Sequence, residues 1–198
     1  MNKQGKSLDA EFFNKMYEQN QDPWDFENSP YEREKYQATL DAIPKDKYNN
    51  VFEIGCSNGI LSEKLAKFCK NLLAVDASSI AVKNAQERLA DYEFVKVQEM
   101  TVPENFPQEK FDLILFSEIG YFLGMEDLIE TKDKMIDALL PNGHLLIVHW
   151  TPFVEEFPLT GDEVHDLFME SVGSESGTLR HLHGRFESQY RLDLFEKN

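Results

Sequence analysis

Two glycines four residues apart follow a short apolar run and a carboxylate in Glu53-Ile54-Gly55-Cys56-Ser57-Asn58-Gly59. Gly55 permits a tight turn at that point, and Gly59 lets a following helix pack closely on the strand. Strand, glycine loop and helix in this order form a nucleotide-type binding unit, and open α/β sheets hold ligands beyond the carboxyl ends of their strands. Asp76 ends the next apolar run, 17 residues after Gly59, where a carboxylate can accept hydrogen bonds from both hydroxyls of a ribose. Glu53 stands where a carboxylate can meet a positively charged ligand group through ordered water. A pyrophosphate-binding loop has little use for that negative charge. Ser57 replaces the middle glycine that lets a pyrophosphate approach the backbone. Cys56 belongs to the same ligand-lining loop, but no base lies near it in sequence, so its thiol reads as packing. A third feature is Phe111-Asp112-Leu113-Ile114-Leu115-Phe116-Ser117-Glu118, an apolar run with an acidic start and a polar end facing the same cleft.

These residues need a scaffold, and the apolar periodicity supplies one. Apolar positions at helical spacing over 8–18, a break at Asn20-Gln21-Asp22-Pro23, and Ser29-Pro30 as N-cap and N1 predict two helices, the second reaching about Ala42 before Pro44. Strands are expected at 51–54, 72–75 with Asp76 at the end, 92–97, 111–116 and 144–149. Between them come helices at 60–68, at 79–89 capped by Ser78, and at 126–139, the last stopped by Pro141-Asn142-Gly143. Strands alternating with helices imply parallel pairing with right-handed crossovers. Thr160 and Glu163 fit a capping box for a helix to about Met169. The stretch 171–177 reads as a loop, and 178–183 with 185–195 as a closing antiparallel hairpin around Gly184. The expected fold is therefore α/β and Rossmann-like, with about seven mostly parallel strands, the last antiparallel, and helices on both faces. It forms one domain, residues 1–48 making a helical cap over the cleft and 49–198 the core.

Composition narrows the function classes. The chain has 198 residues, 41% hydrophobic and 28% charged, which suits one folded α/β domain. No apolar run approaches the roughly 18 residues needed to cross a bilayer, and the first residues lack the apolar region of a secretory signal. Two cysteines, Cys56 and Cys69, are too few for a disulfide framework and lack metal-ligand spacing. The resulting expectation is a cytoplasmic protein with no membrane partner and no metal. A formal charge of −16, from 36 acidic against 20 basic residues, argues against nucleic acid, which normally meets a basic patch. The same charge also serves solubility.

The motifs EIGCSNG, LLAVD, FDLILFSE and LLPNGHLLIVH, in that order and spacing, resemble the successive motifs of class I S-adenosylmethionine-dependent methyltransferases. The segments DPWDF with SPYEREKY, SEIGYFL and PLTGDEVHDLF resemble the nodulation protein S (NodS)-like subfamily over roughly residues 10–195. That family's characterised member type N-methylates a deacetylated chitooligosaccharide without a metal. The resemblance implies S-adenosylmethionine as cofactor. Gly55, Ser57 and Gly59 would then line its methionine part, Asp76 would bind its ribose and Ala77 would lie against the adenine. Met100 is expected to pack on the adenine face and offer its backbone N–H, because Gln98-Glu99-Met100 stands where the family often has an acidic residue.

Methyl transfer from a sulfonium is an in-line displacement, so the protein contributes mainly alignment, worth up to roughly 7–11 kcal/mol. An amine acceptor must also lose its proton. Glu118 and His149 sit at the carboxyl ends of the fourth and fifth strands, with Tyr121 close behind. Glu118 is the expected orienter of the amine and His149 the expected base; the alternatives are a loop-capping Glu118 and a hydrogen-bonded strand-end His149. Trp24 and Tyr31 are expected near the cofactor, where an aromatic ring attracts a sulfonium, and Ser117 beside it. Tyr36 belongs to the same aromatic group, whose other reading is as anchors of its helix. His181 and His183 look like a metal pair without a third ligand and read as hairpin-tip surface residues, and Arg33 and Arg88 as solvated helix positions. The function read from the chain is methyl transfer to a small-molecule acceptor, an amine or hydroxyl on a polar, sugar-like compound. A non-catalytic cofactor-binding domain and an NAD-dependent oxidoreductase remain as alternatives.

Overall fold

The computed structural model describes residues 5–173 and 177–198. The chain forms two compact units, Asp9–Thr101 and a second in which Val102–Asn198 is joined by the segment ending at Leu8.

The unit Asp9–Thr101 contains α1 (Ala10–Gln19), α2 (Pro30–Asp41), β1 (Tyr48–Ile54), α3 (Ile60–Leu65), β2 (Cys69–Asp76), α4 (Ser79–Arg88) and β3 (Val95–Glu99). Its strands run β3-β2-β1, all parallel, with Val51 opposite Leu72 and Leu72 opposite Val95. Residues 51–54 bury every side chain, as a parallel strand covered on both faces requires. Asp9, Ser29 and Ser78 each accept a hydrogen bond from the backbone N–H three residues on, so three helices start where a short polar side chain satisfies an orphan donor. The third strand begins later than its apolar pattern suggests. Tyr92 N–H bonds Leu89 O and Val95 N–H bonds Tyr92 O, which turns 92–94 into the end of the preceding helix's exit.

The second unit contains β4 (Phe111–Ser117), the 3-10 turn Gly120–Phe122, α5 (Met125–Ala138), β5 (Leu139–Trp150), α6 (Gly161–Met169), β6 (Leu179–Phe186) and β7 (Tyr190–Lys197). Its strands run β4-β5-β7-β6, the first pair parallel and the others antiparallel. With seven strands among the described residues, mostly parallel and spaced by helices, the α/β, Rossmann-like reading holds. Thr160 and Glu163 form the expected capping box, side chain to backbone in both directions.

Two turn assignments need correction. Pro141-Asn142-Gly143 does not separate helix from strand. It is an excursion inside β5, between the pairs Phe111–Leu139 and Leu113–His144, with Asn142 left-handed at φ 58°. Gly184 is not the hairpin tip either. It lies within β6, and the tip is Glu187-Ser188-Gln189, where Glu187 N–H bonds Tyr190 O. Of the loop expected at 171–177, positions 174–176 lie outside the described residues. No helix among the described residues is long and apolar enough to cross a membrane.

Candidate functional site

In the unit Asp9–Thr101, β1 delivers buried Glu53, and the chain then passes three left-handed residues, Gly55 (φ 84°), Ser57 (φ 50°) and Gly59 (φ 81°). Gly55 and Cys56 N–H both bond Val75 O, at 2.8 and 2.9 Å, which ties the loop to β2. A left-handed serine is strained, and two contacts hold it. Its N–H lies 2.9 Å from Asp76 Oδ2, and its Oγ lies 2.6 Å from the Tyr17 hydroxyl. Asp76 Oδ1 accepts the Ser78 N–H at 2.8 Å. A Cβ on Gly59 would stand 3.2 Å from both Cα and Cβ of Ala85, so this glycine lets the loop close on α4 rather than on the strand.

Burial dominates the electrostatics here. It pushes the Glu53 carboxyl up to about 7, partly opposed by the Ser62 hydroxyl and reinforced by the Asp76 charge. Glu53 Oε2 is buried without a hydrogen-bond partner. Burial also raises Asp76, against the N–H groups of Ser78, Ser57 and Ala77 that favour its charged form. Cys56 is buried, and burial first, then the Asp76 and Glu53 charges, hold its proton on. That thiol is no nucleophile.

The N-terminal elements of this unit attach to the loop through residues the sequence did not single out. Buried Tyr17 reaches Ser57, and the Ser78 hydroxyl reaches Asn14 Oδ1 at 2.7 Å. Trp24 meets Tyr17 edge to face at 5.7 Å and stacks on Phe26 at 5.4 Å; Phe26 in turn lies 6.0 Å from buried Tyr36. Tyr31, on α2, has Lys35 Nζ 5.1 Å from its ring centre, while the same ammonium pairs with Glu32 at 3.0 Å. Arg33 donates to the Asn28 carbonyl from an exposed position. Arg88 is not merely solvated, since its Nε donates to the Asn58 carbonyl at 2.9 Å and its guanidinium pairs with Glu27. Ala77 is half-buried. The expected free backbone N–H of Met100 is corrected, because it bonds Asp76 O at 2.9 Å and is spent within the sheet edge.

In the second unit, β4 ends at buried Ser117 and the chain enters Glu118 with a left-handed φ of 60°. Glu118 N–H bonds Val148 O, and its Oε2 accepts both the Tyr121 hydroxyl at 2.5 Å and the Trp150 N–H at 3.0 Å. Tyr121 is buried and stacks face to face on Phe157 at 5.1 Å.

Of the two readings of His149, the hydrogen-bonded strand-end residue fits its contacts and the expected base does not. Its ring is fully buried, and Nε2 accepts the Gly120 N–H at 3.0 Å, so the lone pair a base would use is already committed. Nδ1 faces His165 Nε2 at 3.2 Å, and His165 Nδ1 faces Asp193 Oδ2 at 2.7 Å. Neither His165 nor Asp193 carries a sequence signal beyond residue type, because the partners lie 16 and 28 residues apart. His181 also departs from its surface reading. It bonds Asp193 Oδ1 at 2.7 Å, and an irregularity between 181 and 183 breaks the common face expected for the two histidines.

The family model for nodulation protein S (NodS) matches residues 10–149. Nodulation protein S of Rhizobium tropici is 30% identical over 129 residues, 63% of this chain and 53% of that protein. Nodulation protein S of Sinorhizobium fredii is 28% identical over 128 residues, 64% of this chain and 59% of that protein. This chain thus aligns with little more than half the length of these curated relatives. Among solved structures, the N-methyltransferase NodS from Bradyrhizobium japonicum in complex with S-adenosyl-L-homocysteine superposes with a TM-score of 0.83 at 23% identity, over 100% of this chain and 99% of that one. That likeness speaks to the fold, which is the Rossmann-like fold of class I methyltransferases. The loop after β1, the aspartate ending β2 and the aromatic lead-in all fall inside the matched residues, and the chain belongs to the nodulation protein S (NodS) family.

Proposed function

We propose that this chain is an S-adenosylmethionine-dependent methyltransferase that methylates an amine on a small, polar, sugar-like acceptor. The observation that carries the cofactor is Asp76, a buried carboxylate fixed by the Ser57 and Ser78 amides at the end of β2, in a family with a member solved in complex with S-adenosyl-L-homocysteine. The Ser57 and Ser78 amides each take one lone pair, on different oxygens, so the carboxylate keeps acceptor capacity for a ribose hydroxyl beside the Ala77 N–H. Buried Glu53 Oε2 lacks a partner and suits a ligand with a positive charge, directly or through water. The loop of Gly55, Cys56, Ser57 and Gly59 would take the methionine part, Ala77 and the Met100 side chain the adenine, and Trp24 and Tyr31 would lie near the sulfonium. Ser117 is proposed as a further cofactor contact. When bound, the cofactor supplies an activated methyl group.

The acceptor side rests on Glu118. A protonated amine has no lone pair, so a group must both orient it and receive its proton. The Glu118 carboxylate, held by the Tyr121 hydroxyl and the Trp150 amide, is proposed for both tasks, with His149 outside the chemistry. Membership in the NodS family weighs against the NAD-dependent alternative.

The test is calorimetric titration with S-adenosylmethionine, S-adenosylhomocysteine and NAD, followed by a screen of amines and amino sugars for methyl acceptance. Binding of the first two and methylation of an amino sugar is the expected result. Tighter binding of NAD, or cofactor binding with no acceptor turned over, would overturn the enzyme reading.

A further inference from the structure

His149 on β5, His165 on α6 and Asp193 on β7 form one chain of hydrogen bonds that ends on the backbone of the turn after β4. The direction of every bond in it follows from its last member. A backbone N–H can only donate, so His149 Nε2 presents its lone pair to Gly120 and the ring proton sits on Nδ1. That proton points at His165 Nε2, which must then accept, and the His165 proton sits on Nδ1 facing Asp193 Oδ2. Both rings are neutral, and all three bonds run in one sense.

The surroundings are built for this arrangement. A Cβ on Gly120 would stand 2.5 Å from Val164 Cγ1 and 3.0 Å from His149 Nε2, so only glycine brings its N–H to the ring. At the other end, Arg191 Nε and His181 Nε2 hold Asp193 at 2.8 and 2.7 Å, and a Cβ on Gly184 would stand 2.8 Å from Asp193 Oδ1. An apolar core would stabilise such a position equally well without desolvating charge. Here the polar chain terminates one residue before Tyr121 and two after Glu118.

We propose that His149, His165 and Asp193 form a buried positioning relay that fixes the Gly120 turn, and with it the Glu118–Tyr121 pair, only while both imidazoles are neutral. Its catalytic arm rests on the function proposed above; its structural arm does not. A second proton on His149 would set an N–H against the Gly120 N–H. One on His165 would set an N–H against His149 Nδ1–H. The charged and titratable groups around the relay are Asp193 and Arg191 on β7, Asp162 and Asp166 on α6, His181 on β6, and Glu118 with Tyr121 at the turn.

The experiment uses the whole chain with 15N-labelled histidine, and reads the ring tautomers by NMR. Both Nε2 atoms are expected to be unprotonated and both Nδ1 atoms protonated at pH above about 7. A protonated Nε2 on His149 overturns the relay without any variant being made. His149→Gln, whose side-chain oxygen can accept the Gly120 N–H, is expected to keep that amide protected from exchange. His149→Leu should lower its protection at least about tenfold. With glucosamine as probe acceptor, kcat should fall at least about tenfold in the leucine variant and recover most of its value in the glutamine variant, at unchanged S-adenosylhomocysteine affinity. The acid limb of the wild-type kcat profile should coincide with the pH at which the Gly120 amide loses protection. Equal loss of kcat in both variants, with Gly120 still protected in the glutamine one, would make His149 a base and refute positioning. If wild type methylates no acceptor, the enzyme reading fails, while the tautomers and Gly120 protection still decide the relay.

Discussion

Ser57 gives its backbone N–H to Asp76 Oδ2 at 2.9 Å while adopting a left-handed φ of 50°. The carboxylate therefore shapes the loop as well as offering lone pairs to a ligand. Asp76→Ala removes both contributions. Affinity for S-adenosylhomocysteine is expected to fall by roughly 100-fold or more, the worth of two hydrogen bonds to a charged group. The thermal midpoint should fall too, because the Ser57 and Ser78 amides lose their acceptor. Calorimetry and a melting curve check this, and wild-type affinity in the variant would remove Asp76 from the cofactor site.

Glu53 predicts a pH effect whose sign is fixed. Its folded value of about 7 lies above its ordinary 4.5, so the folded state holds the proton more tightly than the unfolded chain. The contribution is full below pH ~4.5 and is lost as pH rises through about 7, at a cost of up to about 3 kcal/mol. In the ligand-free protein, Glu53→Gln should flatten the decline in Tm between about pH 5 and 8. Parallel Tm curves for the two proteins would contradict this.

Glu118→Gln should leave cofactor affinity unchanged and lower kcat roughly 100-fold, since an amide cannot take the amine's proton. Tyr121→Phe deletes the donor at 2.5 Å and should cost roughly tenfold in kcat, the value of one bond to a charged acceptor. If Glu118→Gln turns over like wild type, the carboxylate is only a loop fastening.

Gly59→Ala places a Cβ at φ 81° and 3.2 Å from Ala85. Backbone strain of about 1–2 kcal/mol plus crowding against α4 should lower Tm by roughly 4–8 °C in a chain of this size. No change in Tm would mean that the loop can relax away from α4.

What could be read from the sequence is what neighbours in the chain decide. The caps at Ser29, Ser78 and Thr160 and the glycine loop are encoded within a few residues, and the structure has them in place. The third strand's start and the turn at 187–189 escaped because Tyr92 and Gly184 look like a strand residue and a turn residue by type alone. In the fold Tyr92 forms a turn, and Gly184 makes room for Asp193 Oδ1. Tyr17 on Ser57, Arg88 on Asn58, and His165 between His149 and Asp193 join residues 16 to 40 positions apart. No spacing rule announces such pairs. Sequence offers two readings of His149, a base and a hydrogen-bonded strand-end residue, and cannot choose between them because the Gly120 N–H that occupies its ring is not visible in it.

The chain has two tryptophans, one in each compact unit. Trp24 lies against Tyr17, whose hydroxyl touches Ser57, and the Trp150 amide is anchored on Glu118. The fold thereby carries two intrinsic optical reporters at separate stations. Emission from Trp24, isolated in a Trp150→Phe protein, should follow filling of the loop after β1. Emission from Trp150 should follow events at the carboxylate, so the order in which two ligands arrive can be resolved without attaching a dye.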